Sequence, residues 1–190
     1  IINFVKEKGQ GVYRYHLFRT CGIGESRLSE KIGDNSLYLP VTMAFLPSID
    51  HGVTLRLSHS GADDNSVEST LDEKVQSVRK IINKYVYAED EVDLEEIILR
   101  QLLANNQKLA VAESCTGGMI CERLISIPGS SKSFDRGFIT YSDRAKSEQL
   151  GVSNNILDTY GAVSEETAME MARGAMQKAR ADIGISVTGI

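Results

Sequence analysis

The spacing of hydrophobic residues changes about half-way along the chain. In the first half, short apolar runs at 12–18, 41–46 and 53–58 indicate strands, and a short helix is predicted at 26–32. From Val67 onward the apolar residues recur at helical spacing, at Leu71, Val75, Val78, Ile82 and Tyr85. This order of elements predicts a small α+β unit that ends near Ala88.

An α/β rhythm follows the acidic stretch at 89–91. Helices are predicted at 94–105, 117–126, 142–150 and 164–179, and strands at 109–113, 137–141 and 183–187, the last of them wholly buried. Ser142 and Ser164 stand where helices prefer an N-cap residue. The alternation predicts a layered α/β domain. The expected boundaries are a remnant of a preceding domain or a linker strand at 1–18, the α+β unit at 19–88 and the α/β domain at 89–190.

Both ends of the chain indicate a fragment of a longer protein. Residue Ile1 is not a methionine, and the last residues, Val187-Thr188-Gly189-Ile190, lead from an apolar strand into a turn. We therefore expect the α/β domain to be truncated at its C-terminus.

Composition and charge exclude several classes of function. The chain has 190 residues, 42% of them hydrophobic and 25% charged, as in a soluble globular protein. Its net charge of −5 argues against a nucleic-acid or anionic-membrane surface, and no apolar run could span a bilayer. We expect a cytoplasmic protein. Cys21, Cys115 and Cys121 lack the spacing of a metal site or a disulfide framework, so reduced thiols and no metal site are expected.

The segment 112–118, Ala-Glu-Ser-Cys-Thr-Gly-Gly, places a serine between an apolar strand and a glycine pair that opens a helix. Such a segment presents either a reactive side chain or a phosphate site. As a nucleophile, Ser114 needs an adjacent base. The three histidines, His16, His51 and His59, all precede the α/β domain. A lysine is the remaining common base, and it must be neutral to accept a proton.

Lys146 is the candidate base. It lies four residues after Ser142, in the first turns of a helix, where the positive end of the helix dipole disfavours an ammonium group. Arg144 adds a second positive charge nearby. A solvated lysine near a helix start is the alternative interpretation.

Tyr141 and Cys115, which neighbour these residues in the sequence, are further candidates for a role in the reaction. Tyr141 is predicted to end a strand at the edge where Ser114 ends another, and its hydroxyl can orient the lysine or protonate a leaving group. A tyrosine that simply packs is the alternative. Cys115 is a rival nucleophile, although a small buried thiol is the interpretation we favour.

Several small residues are candidate ligand contacts. Thr116, Gly117 and Gly118 are predicted to open a helix with free main-chain amides, which can hold an oxyanion or a substrate phosphate. The motif lacks the Gly-Lys-Ser/Thr sequence of a Walker loop. The segments Gly129-Ser130-Ser131 and Thr188-Gly189 are turn signals that can also touch a ligand.

Several ordered motifs resemble the CinA (competence/damage-inducible protein) family. They lie at 112–118, 128–131, 137–146, 151–152, 161–164 and 187–190. The first half is similar too. Its segment 20–26, Thr-Cys-Gly-Ile-Gly-Glu-Ser, resembles the junction after the family's N-terminal domain, and the α+β unit resembles the family's KH-type middle domain.

The resemblance implies an activity for the α/β domain. The family's C-terminal, PncC-like domain hydrolyses the carboxamide of nicotinamide mononucleotide to nicotinic acid mononucleotide and ammonia. A Ser/Lys mechanism implies Ser114 as nucleophile, Lys146 as base and Tyr141 in support. The implied substrate contacts are Glu113, Thr116, Gly117, Gly118, Gly129, Ser130, Ser131, Thr188 and Gly189.

The resemblance also bears on cofactors and partners. No cofactor is implied for the amidase step, and a divalent metal belongs only to the family's N-terminal domain, of which the last stretch alone is expected here. The implied partner is a small nucleotide substrate, and the family's habit implies a homodimer. Part of the family's phosphate-contacting segment is expected beyond Ile190.

A non-catalytic module is the alternative function. In it, the KH-like unit would bind nucleic acid, or the C-terminal domain would bind a nucleotide without chemistry. The loop Gly22–Glu25 is acidic and the net charge is negative, so we do not expect nucleic-acid binding. The presence of both Ser114 and Lys146 favours the enzyme.

Overall fold

The computed structural model describes residues 11–49 and 52–189, which form two compact units that divide between Leu94 and Glu95. The fold is a mixed α/β fold, as predicted, with an antiparallel sheet in the first unit and a parallel sheet in the second. No helix in the described ranges is long and apolar enough to cross a membrane.

The first unit packs helices on a four-stranded antiparallel sheet. Its elements are β1 (Val12–Thr20), α1 (Glu25–Ile32), β2 (Thr42–Ser48), β3 (Gly52–Gly61), α2 (Asp64–Ile82) and β4 (Val86–Ala88), with short 3-10 turns at Asn35–Tyr38 and Asn83–Tyr85. The strand order is β2-β3-β1-β4. Asp63 caps α2 by accepting a hydrogen bond from the Ser66 amide. The apolar stripe of α2 is buried from Val67 to Ile82, which confirms the predicted helix, except that Tyr85 lies in the 3-10 turn that follows.

Strand β1 lies inside this sheet. It pairs with β3 from Val12 to Thr20 and with β4 on its other side. Phe18 stands opposite Leu55, and both side chains are fully buried. Residues 12–18 therefore belong to this unit, and their assignment to a preceding domain or linker is wrong. Residues 1–10 of that prediction lie outside the described residues.

The second unit is a parallel sheet between two layers of helices. Its elements are α3 (Leu94–Ala104), β5 (Leu109–Glu113), α4 (Met119–Ile125), β6 (Phe134–Ile139), α5 (Asp143–Ala145), a π-helical turn (Lys146–Leu150), α6 (Asn154–Tyr160), α7 (Glu165–Ala179) and β7 (Ile183–Val187). The strand order is β6-β5-β7, with β5 in the centre. Ala110 and Ala112 of β5 join the core that includes α7, whereas Leu109 and Val111 join the core that includes α3 and α4. Strand β5 is apolar from Leu109 to Ala112 because helices cover both of its faces.

Several predicted bounds are wrong. Strand β6 ends at Ile139, so Tyr141 lies beyond it. Helix α4 begins only at Met119, because Gly117 and Gly118 adopt positive φ angles of 60° and 104°. Helix α6 was not predicted, although the Ser153 side chain caps it.

The predicted burial of the third strand is also wrong. Every residue of β7 is at least partly exposed, because within the described sheet β7 has a neighbour, β5, on one side alone. The strand itself, Ile183–Val187, has the predicted bounds.

Candidate active site

Ser114 directly follows the central strand β5. Its side chain lies at the carboxyl edge of the sheet and the residue is 5% exposed. Its amide donates to the Val187 carbonyl at 2.9 Å, and its carbonyl accepts from the Gly117 amide at 3.2 Å. These two bonds tie the serine to β7 and to its own loop. The carboxyl edge is where open parallel sheets place their ligand sites.

Lys146 is a buried amine beside this serine. It is 1% exposed, and its Nζ lies 3.2 Å from Ser114 Oγ. The same Nζ donates to the main-chain carbonyls of Thr140 at 3.1 Å and Tyr141 at 3.3 Å. Within the described residues no carboxylate forms a salt bridge with it. The alternative of a solvated lysine is therefore wrong.

The three oxygens around Nζ suit both protonation states of the lysine. An ammonium group donates one proton to each oxygen. A neutral amine donates its two N–H groups to the Thr140 and Tyr141 carbonyls, and its lone pair accepts the proton of the Ser114 hydroxyl. The arrangement therefore accommodates the start and the end of a proton transfer from Ser114 to Lys146.

The turn that carries Lys146 departs from an ordinary helix. Ser142 Oγ accepts from the Ala145 amide at 3.1 Å, so the predicted cap is confirmed. After the short helix α5 the backbone continues as a π-helical turn whose first residue is Lys146, and Gly151 closes it with φ of 76°. Such turns are rare and occur frequently at functional sites. This one presents its first side chain to Ser114.

Glu113 holds the loop that follows β5. Its side chain is fully buried, and its carboxylate accepts the amides of Gly118 at 3.0 Å, Ile120 at 3.1 Å and Cys121 at 2.8 Å. Burial by itself raises the pKa of Glu113, but hydrogen bonds from the Cys121 thiol and from main-chain amides outweigh it and lower the pKa from its ordinary value. Glu113 was predicted as a substrate contact, and the structure gives its carboxylate this capping role instead.

The predicted set of free amides is partly wrong. The Gly117 amide donates to the Ser114 carbonyl, and the Gly118 amide donates to Glu113, so neither is available to a ligand. The amides of Cys115 and Thr116 have no acceptor among the described residues. The candidate donors for an oxyanion therefore lie directly after Ser114 and include Thr116, as predicted.

The segment 188–189 lies beside the serine loop. The Thr188 hydroxyl donates to the Ala162 carbonyl at 2.7 Å, and a Cβ added at Gly189 would be 3.2 Å from Cys115 Sγ. The structure thus brings both predicted residues to the Ser114 edge. Cys115 is exposed, so its prediction as a buried thiol is wrong.

The segment Gly129-Ser130-Ser131 lies at the other edge of the sheet. It precedes β6, whose first residue Phe134 pairs with Leu109, the first residue of β5. Because the two strands are parallel, the segment is separated from Ser114 by the length of β5, about 15 Å at roughly 3.3 Å per residue. The Lys108 amine donates to main-chain carbonyls of this turn instead. Its three residues do not join the site, which corrects the prediction.

Tyr141 contributes through its main chain. Its carbonyl accepts from Lys146, whereas its side chain is 79% exposed, which excludes the packing alternative. The predicted support of the lysine by the phenol hydroxyl is replaced by this carbonyl. A contact of the exposed ring with substrate stays a prediction.

Thr140 is a further residue of the candidate site, and the sequence did not indicate it. It is fully buried, its carbonyl accepts from Lys146, and its amide donates to the Glu113 carbonyl at 2.8 Å. Main-chain acceptors leave no signature in side-chain type, so a pattern of residues could not reveal it. Within the described ranges, no group of three or more His, Cys, Asp or Glu side chains is placed to hold a metal ion.

Comparison with known proteins decides the family. The model of the CinA C-terminal domain matches residues 91–190, just over half of the chain. The chain belongs to the CinA family. The model of the damage-inducible protein CinA KH domain matches residues 16–88, in the first unit.

Relatives and solved structures agree with this assignment. The chain is 43% identical over 192 residues to a CinA-like protein of Chloroherpeton thalassium and 40% identical over 187 residues to a putative competence-damage inducible protein of Caldicellulosiruptor saccharolyticus. It spans about half the length of these curated relatives, 46% and 44%, while 100% and 98% of the chain is covered.

Crystal structures match about half of this CinA-family chain. One is the competence/damage inducible protein CihA from Agrobacterium tumefaciens, with a TM-score of 0.50, 45% identity, and coverage of 51% of this chain and 59% of that one. Another is the CinA superfamily protein from Escherichia coli, with a TM-score of 0.50, 42% identity, and coverage of 50% and 56%.

Proposed function

We propose that this CinA-family protein is an amidase that hydrolyses the carboxamide of nicotinamide mononucleotide. The observation that carries the proposal is the buried pair Ser114 and Lys146, with 3.2 Å between Oγ and Nζ. A serine beside a lysine that has no carboxylate partner is the pattern of a Ser/Lys hydrolase. The choice of substrate rests on the resemblance of the motifs around this pair to the family's C-terminal domain.

Acylation begins at the carboxamide carbon. The Ser114 oxygen attacks that carbon while neutral Lys146 takes the hydroxyl proton. The carbonyl oxygen becomes an oxyanion in the tetrahedral intermediate. Lys146, now an ammonium, gives its proton to the leaving nitrogen, which departs as ammonia. The product is an ester between Ser114 and the pyridine carboxyl carbon.

Deacylation repeats these steps with water. Neutral Lys146 removes a proton from a water molecule, whose oxygen attacks the ester carbon. The second tetrahedral intermediate collapses, Lys146 returns the proton to Ser114 Oγ, and nicotinic acid mononucleotide leaves. The sum is one amide and one water converted to one acid and one ammonia, with no cofactor.

The two free amides after Ser114 are the proposed oxyanion donors. The amides of Cys115 and Thr116 have no acceptor among the described residues, and they directly follow Ser114 in sequence. Loss of one oxyanion donor typically slows acyl transfer by about 10²–10³-fold. Their placement next to the nucleophile is the second support for the proposal.

Product analysis with the purified protein tests the proposal. Incubation with nicotinamide mononucleotide is expected to release ammonia and nicotinic acid mononucleotide in equal amounts, measured by a coupled ammonia assay and by chromatography. The Ser114→Ala variant is the control. Absence of both products above the rate without protein would rule out this function.

A further inference from the structure

The carboxylate of Glu113 caps the start of helix α4. Main-chain amides at the start of a helix commonly bind anions. At the start of α4, three of them donate to Glu113 instead, those of Gly118, Ile120 and Cys121. A fixed negative charge in this place also repels a second anion. The loop is therefore closed to substrate at α4 and offers the amides of Cys115 and Thr116.

The main chain of Glu113 connects the serine to the lysine. Its carbonyl accepts the Thr140 amide at 2.8 Å, and the Thr140 carbonyl accepts Lys146 Nζ at 3.1 Å. Its side chain anchors the other end of the serine loop at Gly118. One residue thus links the loop that carries Ser114 to the acceptor that orients Lys146.

Close packing leaves this carboxylate little freedom. The Cys121 amide donates to it at 2.8 Å, and a Cβ added at Gly137 of β6 would overlap Cys121 Sγ. Helix α4, strand β6 and the Glu113 side chain therefore form one tightly packed assembly. We expect a change at the carboxylate to shift the Ser114 loop, because closely packed surroundings leave little room for relaxation.

We propose that Glu113 is a positioning residue for the amidase reaction, which directs the Cys115 and Thr116 amides at the reacting carbonyl without touching substrate. This inference rests on the proposed function of the Ser114–Lys146 pair. A mispositioned oxyanion site slows the chemical step and leaves ground-state binding of the nucleotide largely unchanged.

The first test is the isosteric variant Glu113→Gln, with Glu122→Gln as the matched control. Glu122 is an exposed carboxylate in the first turn of the same helix. In Glu113→Gln the new NH2 group faces main-chain donors, so we expect kcat to fall by about 10²-fold with KM within about threefold. Glu122→Gln is expected to keep the wild-type kcat and KM. A Glu113→Gln variant with wild-type kcat, or with the whole loss in KM, would overturn the inference.

Chemical rescue separates positioning from a general loss of structure. In Glu113→Ala the removed carboxylate leaves space for a small carboxylate beside the same three amides. Added acetate is expected to raise kcat of this variant in a saturable way, whereas equal concentrations of chloride do not, and Ser114→Ala gains nothing from either. Failure of acetate in a folded Glu113→Ala protein contradicts the inference, and if this variant does not fold, Glu113→Gln decides. An inactive wild-type protein would instead contradict the proposed function.

Discussion

The amine of Lys146 lies 3.2 Å from the hydroxyl oxygen of Ser114, although 32 residues separate them in sequence. They meet because β5 and β6 are neighbouring parallel strands, and the segments after both strands emerge at the same edge of the sheet. The lysine reaches the serine from a short turn whose position is set by the cap Ser142 and by two carbonyl acceptors.

Removal of the Ser142 cap should impair the reaction more than the fold. Ser142→Ala removes the acceptor of the Ala145 amide and should cost about 1 kcal/mol of unfolding free energy. Because the capped turn leads directly into Lys146, we also expect kcat to fall by about tenfold or more. The matched control is Ser153→Ala, which removes the corresponding cap of α6. It should lose similar stability in urea unfolding and keep its kcat, and equal kcat losses in both variants would refute this explanation.

The buried carboxylate of Glu113 should make stability depend on pH in the acid range. Its pKa in the folded protein is lowered, so its contribution is fully present above the ordinary glutamate value of about 4.3 and is lost as pH falls through the folded value. Glu113→Gln should therefore be less stable than wild type by about 1–3 kcal/mol near pH 7, with a smaller difference near pH 3. Urea unfolding across this range measures the difference. If the difference in unfolding free energy between wild type and Glu113→Gln grew toward acid pH, the lowered pKa of Glu113 would be contradicted.

The three cysteines should differ in reactivity. Burial, together with the Glu113 carboxylate, raises the pKa of Cys121 to about 12, so at pH 8 this thiol is protonated and unreactive. Cys21 and Cys115 are exposed. We expect iodoacetamide to modify those two residues in the native protein, and all three after unfolding, as read by peptide mass spectrometry. Equal labelling of Cys121 in the native state would be inconsistent with its environment.

The contact between α4 and β6 should leave no room for an added methyl group at Gly137. Gly137→Ala would place a Cβ on Cys121 Sγ, and overpacking of this kind typically costs about 1–3 kcal/mol. The double variant Gly137→Ala/Cys121→Ala should recover part of that loss in thermal or urea unfolding. Additive losses in the double variant would show that the two residues do not compete for space.

The elements of this fold that the sequence predicted are those with strong local signals. Strand β5 is a short apolar run, α2 has a regular apolar stripe, and Ser142 and Ser164 cap their helices as expected. The pairing of Ser114 with Lys146 was predicted from the absence of a histidine in the α/β domain, from the position of Lys146 near a helix start and from the family resemblance.

The predictions that failed depended on details of strand ends and hydrogen bonding. Gly129-Ser130-Ser131 was grouped with the site because small polar loops look alike, but a turn before a parallel strand lies at the opposite edge. The amides of Gly117 and Gly118 were expected to be free because sequence alone does not show that Glu113 and the Ser114 carbonyl accept them. Glu113, five positions before Gly118, was predicted only as a substrate contact.

The rate of ammonia release from nicotinamide mononucleotide by wild type, Ser114→Ala and Lys146→Ala, measured side by side, tests the central claim most directly. Loss of either member of a nucleophile–base pair should remove nearly all activity, a fall in kcat of about 10³-fold or more. The double variant should be no slower than either single variant, because the two residues act as one unit. Lys108→Ala, at a lysine that also donates to main-chain carbonyls but lies at the opposite edge, should retain wild-type kcat. Wild-type rates in Ser114→Ala or in Lys146→Ala would contradict the account.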